Sequence, residues 1–145
     1  NHVLVLRNVG PVGGPGMPEW GMMPIPKKLL KKGVRDMIRI SDARMSGTAY
    51  GTVILHTAPE AAIKGPLAAV QNNDYIEVDV ESGSMNLLVN DNTIKERLEK
   101  YNPVLPDITS GYQKMYVDHV TQADTGADLD FLVGKRGSEV KRHSH

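Results

Sequence analysis

Between residues 10 and 26 the chain reads "GPVGGPGMPEWGMMPIP", with five glycines and five prolines in 17 residues. Proline has no amide proton to donate, and glycine loses more freedom on ordering than any other residue. Neither a helix nor a strand ladder can therefore run through this stretch. Any fold of this chain has to carry a long shaped loop near its start.

The flanking segments have ordinary periodicities. "HVLVLRNV" before the loop is apolar and β-branched, and it reads as a buried strand. "KKLLKKG" after it reads as a short helix stopped at Gly33, with Lys27, Lys28, Lys31 and Lys32 on a solvated face. "VRDMIRISD" and "GTVILHTA" are further strand candidates. Residues 74–91, "DYIEVDVESGSMNLLVND", alternate and then turn at Ser82-Gly83, which predicts a hairpin. "DNTIKERLEKY" predicts a helix capped by Asp91 or Asn92. "GYQKMYVDHVTQADTGADLDFL" puts Tyr112, Met115, Tyr116, His119 and Val120 on one helical stripe. The tail "GKRGSEVKRHSH" has little to bury and is expected to be mobile unless it docks elsewhere. There is no internal repeat. The 145 residues predict one domain, α/β or α+β and rich in strands.

Composition removes several function classes. Lys+Arg and Asp+Glu both number 17, so the net charge is zero, which argues against a general binder of nucleic acid or anionic membrane. No apolar run approaches the ~20 residues of a membrane span, and the N-terminal residues lack a signal peptide's order of segments. With no cysteine, the chain can form no disulfide and can offer no thiolate to zinc or to an iron–sulfur cluster. The chain opens on Asn1 rather than Met, and it is expected to be a piece of a longer, cytoplasmic protein.

Two loops could carry chemistry. In "GPGMPEW" the glycines and prolines could hold the Glu19 carboxylate as a metal ligand or acid/base, or Glu19 could simply be solvated. One carboxylate rarely makes a Mg²⁺ site, because the ion wants six oxygens, so partners would have to come from outside the chain. In "SDARMSGTAYG", Ser46, Gly47 and Thr48 would let a ligand approach the backbone, and Arg44 could pair with a carboxylate. An ST-turn between two strands explains the same pattern, and on pattern alone it is the favoured reading. The glycine spacing fits neither a phosphate loop nor a dinucleotide fingerprint. His56 in an apolar strand and His119 on the helix stripe read as structural, and His143 and His145 as a polar tail.

Taken together, "GPVGGPGMPEW" and "VRDMIRISDARMSGTAYGTVILHTAPEAAIKGPLAAVQNNDYIEVDV" resemble the C-terminal domain of the dihydroxy-acid and sugar-acid dehydratases, the IlvD/Edd family. The resemblance runs almost end to end. "GYQKMYVDHVTQADTGADLDFLVG" and the closing "RHSH" are more similar to the branch acting on pentonic acids such as L-arabinonate than to the branched-chain amino-acid enzymes.

The resemblance implies a hydro-lyase that converts a 2,3-dihydroxy acid to a 2-keto-3-deoxy acid, using an iron–sulfur cluster and Mg²⁺. It implies Ser46 as the base for the C2 proton, Thr48 as a second hydroxyl at the substrate, and Glu19 as a Mg²⁺ ligand. Arg44, Gly47 and the terminal His145 would bind substrate. The implied fold is a swivelling β/β/α barrel-like domain of the LeuD/IlvD-like type. The cluster cysteines and the other Mg²⁺ ligands would belong to an N-terminal domain of the same protein, which would be a homo-oligomer at full length. A dihydroxy-acid dehydratase of branched-chain synthesis and a non-catalytic anion-binding swivelling module are the alternatives.

Overall fold

A computed structural model describes residues 2–46, 51–103 and 105–134. Its centre is strand β2, Arg39–Ser41, every residue of which is buried. Strand β1, Leu4–Leu6, pairs with one side of it in parallel, Val5 opposite Ile40, and β3, Val53–Ile54, pairs in parallel with the other. Parallel neighbours need long crossovers. The first contains the Gly/Pro loop and helix α1, Lys27–Leu30, and the second contains the loop that starts at Asp42.

All three strands are shorter than their apolar runs predict. β1 ends because Asn8 takes a left-handed backbone (φ 67°), which turns the chain into the glycine loop. β3 ends before His56, which is exposed at φ 55° rather than seated in a strand. Beyond β3 the chain forms two tight 3₁₀ turns, Ala61–Ile63 and Pro66–Ala69. The core forms where these turns meet the sheet: Ile40, Ala61, Leu67 and Ala68 are buried together, with Val5, Ile54, Met85 and Leu98 packed around them.

The hairpin appears as expected, with β4 (Ile76–Asp79) antiparallel to β5 (Ser84–Leu87) and Val78 opposite Met85. Helix α2, Asp91–Lys100, is capped by Asn90, whose side chain accepts from the Thr93 amide at 2.9 Å, one position before the expected caps. Helix α3, Gly111–His119, contradicts the stripe reading. Tyr112 is 87% exposed and none of its residues is fully buried. His119 instead meets Asp130 at 3.0 Å and the edge of Phe131. The four lysines around α1 are all exposed.

The described residues thus form a small mixed α/β unit with one parallel and one antiparallel sheet, and no closed barrel is found among them. Among them, too, no helix is long and apolar enough to cross a membrane. The tail beyond Gly134 lies outside the described residues.

Arg97 of α2 fastens the helix to the core. It donates to the Ala69 carbonyl at 3.0 Å and to Asp74 at 2.6 Å, with both side chains largely buried. The Arg97 hydrogen bond holds the Asp74 carboxyl below its ordinary value, and the Gln71 amide assists. A depressed carboxylate stabilises the fold above about pH 4 and loses that contribution as the pH falls further. Asp74→Asn should therefore lower stability to urea by about 1.5–3 kcal/mol at pH 7. The difference from wild type should shrink towards zero as the pH is taken below about 3.

Candidate functional site

The two suspect loops leave the same end of the parallel sheet, one after β1 and the other after β2. What holds them together is a pair of carboxylates that the chain buries completely, Asp42 and Glu60. Asp42 follows β2 directly. Its Oδ1 accepts from the Val9 amide and its Oδ2 from the Asn8 and Ala61 amides, each at 3.0 Å. It thereby ties the start of the glycine loop to the start of the "SDARMS" segment.

Glu60 grips the glycine loop further along, accepting from the Val12 and Gly13 amides at 2.8 Å and from the Gln122 side chain at 2.9 Å. The Gln122 oxygen in turn accepts from the Glu60 amide at 2.8 Å. Charge-assisted bonds of this kind can offset the desolvation of a buried carboxylate. They also explain Gly10, where an added Cβ would stand 2.7 Å from the Cβ and Oε2 of Glu60.

Above this base the loops touch. The Gly21 amide donates to the Arg44 carbonyl at 2.9 Å, and a Cβ on Gly21 would lie 2.6 Å from Leu55. The Arg44 guanidinium donates to Glu19 Oε1 at 2.9 Å, with both side chains about half exposed. Ser46, two residues beyond Arg44, is half-buried in irregular backbone. The expected site residues Glu19, Arg44 and Ser46 therefore belong to loops that are fastened together. Gly47, Thr48 and His145 lie outside the described residues.

The second loop is also pinned where it rejoins the sheet. Asp36 accepts from the Thr52 hydroxyl at 2.7 Å and from the Thr52 amide, and these bonds hold its carboxyl below the ordinary value.

Among the described residues no group of three His, Cys, Asp or Glu side chains could hold a metal ion. Glu19 fits a cation in chemistry and exposure, since it already faces a guanidinium, but it can supply only one ligand. An iron–sulfur cluster does not fit this chain, which has no cysteine. A surface pocket beside α2, lined by Arg7, Gln71, Arg97, Lys100 and Tyr101 among others, includes none of these loop residues.

Residues 1–127 match the family model for the dihydroxy-acid/6-phosphogluconate dehydratase C-terminal region. The chain belongs to this family. The L-arabonate dehydratase of Azospirillum brasilense is 58% identical over all of this chain, and the L-arabinonate dehydratase of Rhizobium leguminosarum bv. trifolii is 55% identical over all of it. The dihydroxy-acid dehydratase of Halothermothrix orenii is 41% identical over 88% of it. The chain spans about a quarter of the length of these dehydratases.

Sequence reasoning missed Asp42, Glu60 and Gln122 in this dehydratase-family chain. A signal was there for the two acids. Asp42 closes the strand candidate "VRDMIRISD", and Glu60 stands alone between Pro59 and the small residues Ala61 and Ala62, where backbone amides are the natural partners for a buried charge.

The geometry separates the two kinds of contact. Asp42→Asn would set an amide NH₂ against backbone donors and should cost about 1–3 kcal/mol in urea unfolding. Arg44→Ala, which breaks only a half-exposed ion pair, should cost less than about 1 kcal/mol.

Proposed function

We propose that this chain is a single domain forming the C-terminal part of a hydro-lyase that dehydrates a pentonic acid such as L-arabinonate to its 2-keto-3-deoxy acid. The observation that carries the reading is the contact between the Glu19 loop and the Arg44–Ser46 segment, made through the Gly21 amide and the Arg44 side chain. It is supported by the greater identity to arabinonate dehydratases than to the dihydroxy-acid dehydratase quoted above.

In this reading the Ser46 oxygen, as alkoxide, takes the proton from C2. The electron pair forms the C2–C3 double bond as the 3-hydroxyl departs, and the resulting enol tautomerises to the ketone. A serine hydroxyl is a base only if its pKa is strongly depressed, so Ser46 needs positive charge and N–H donors near its oxygen. Gly47 has no side chain to keep substrate from the backbone there. Arg44 spends one N–H on Glu19, and a guanidinium has five, which leaves donors for the substrate carboxylate. Thr48 offers a second hydroxyl and His145 a further substrate contact. Glu19 would contribute one oxygen to Mg²⁺. The family's Mg²⁺ and iron–sulfur cluster would supply Lewis acidity to the substrate's C2 end and to the departing hydroxide.

The cluster and the remaining Mg²⁺ ligands would come from an N-terminal domain, in a cytoplasmic homo-oligomer. The barrel-like swivelling arrangement would describe this domain within that whole.

The full-length enzyme is expected to turn over L-arabinonate in preference to a branched-chain dihydroxy acid assayed in parallel. Ser46→Ala should lower kcat by roughly 10²- to 10⁴-fold, the usual share of a general base. Unimpaired turnover in Ser46→Ala would remove Ser46 as the base. A preference for the branched-chain acid would move the assignment to dihydroxy-acid dehydratase. Sugar-acid binding by the isolated chain, with no turnover at full length, would favour the non-catalytic module.

A further inference from the structure

We propose that Glu60 is a positioning residue for the cation-binding loop, setting where the Glu19 carboxylate stands although it never touches the ion. The inference rests on the reading of Glu19 as a cation ligand.

A loop with glycines at 10, 13, 14 and 16 has a large conformational freedom to lose and few side chains with which to offset it. Its order has to come from bonds to its backbone. Both Glu60 oxygens are used for this, one on the Val12 amide and one on the Gly13 amide. From Gly13 the path to Glu19 is short and stiff. The Gly14 amide bonds the Gly10 carbonyl at 2.8 Å and the Met17 amide bonds the Gly14 carbonyl at 2.7 Å, with Met17 itself buried. A displacement at residues 12 and 13 is carried through these two backbone bonds towards Glu19.

Glu60 is in turn fixed from the far side of the fold. Gln122 bonds both its carboxylate and its amide. Burial pushes the Tyr116 phenol of α3 up, with the Gly16 backbone opposing and the nearby Glu60 charge adding to the shift. Glu60 therefore links the glycine loop to α3 and the turn that follows it.

The test is a Mn²⁺ titration of the full-length protein, following the free-ion EPR signal, which needs no turnover. Glu60→Gln keeps the side chain's shape but replaces one acceptor by a donor. Gly10→Ala keeps the charge but crowds the carboxylate. Both should raise the Mn²⁺ dissociation constant roughly 10- to 100-fold, the usual effect of disturbing the group that orients a ligand.

A merely structural role predicts lower thermal stability with unchanged Mn²⁺ affinity, and that result in either folded variant overturns the proposal. If Glu60→Gln does not fold, Gly10→Ala decides alone, since it leaves the charge in place and reports geometry. Glu19→Gln is the reference. If it weakens Mn²⁺ binding and the other variants do not, the positioning role fails and the ligand reading stands. If Glu19→Gln has no effect, both fall together.

Discussion

One fully buried carboxylate sets the geometry on which the rest of this molecule depends. Asp42 collects the amides of Asn8, Val9 and Ala61, and so gathers the ends of β1 and β2 and the turn that leads into the core. Taking a charge out of water is expensive, and a single mispaired donor costs a large part of a domain's net stability. The compensation is directional. Three N–H groups from two distant parts of the chain are aimed at two oxygens, and this fixes the angle at which both loops leave the sheet. Glu60 repeats the device one loop-width further out.

This is how a segment dominated by glycine and proline acquires a definite shape. The loop owes little to burial of large side chains, since Trp20 and Met22 are exposed and only Gly10, Pro11, Met17 and Gly21 are buried within it. Its shape is imposed on its backbone by carboxylates from other segments. The consequence for chemistry is that Glu19 and the Arg44–Ser46 segment, 25 residues apart in sequence between Glu19 and Arg44, are brought within a single hydrogen bond of one another. Functional groups on loops need a rigid support, and here the support is polar rather than apolar.

The sequence made the motifs legible and left the anchors hidden. The hairpin at Ser82-Gly83 and the helix starting at residue 91 followed from local periodicity and capping, because both are stabilised within their own segments. The family followed from "SDARMSGTAYG" and "GPGMPEW", which are long and specific. The strand lengths did not follow, because Asn8 and His56 adopt left-handed backbone under tertiary constraint. Nor did the fate of the α3 stripe, since Tyr112 and Met115 have helical spacing but are exposed. Gln122 was the least legible of all, because a polar residue after a helix carries no mark of a partner 62 residues away.

The central claim is that two buried carboxylates, rather than side-chain packing, order the glycine loop. Amide hydrogen exchange followed by NMR tests it most directly. The account predicts that the Asn8, Val9, Val12 and Gly13 amides exchange far more slowly than an unstructured chain of this sequence, because all four are bonded to Asp42 or Glu60. Exchange of these four at the rate of an unstructured chain would contradict it.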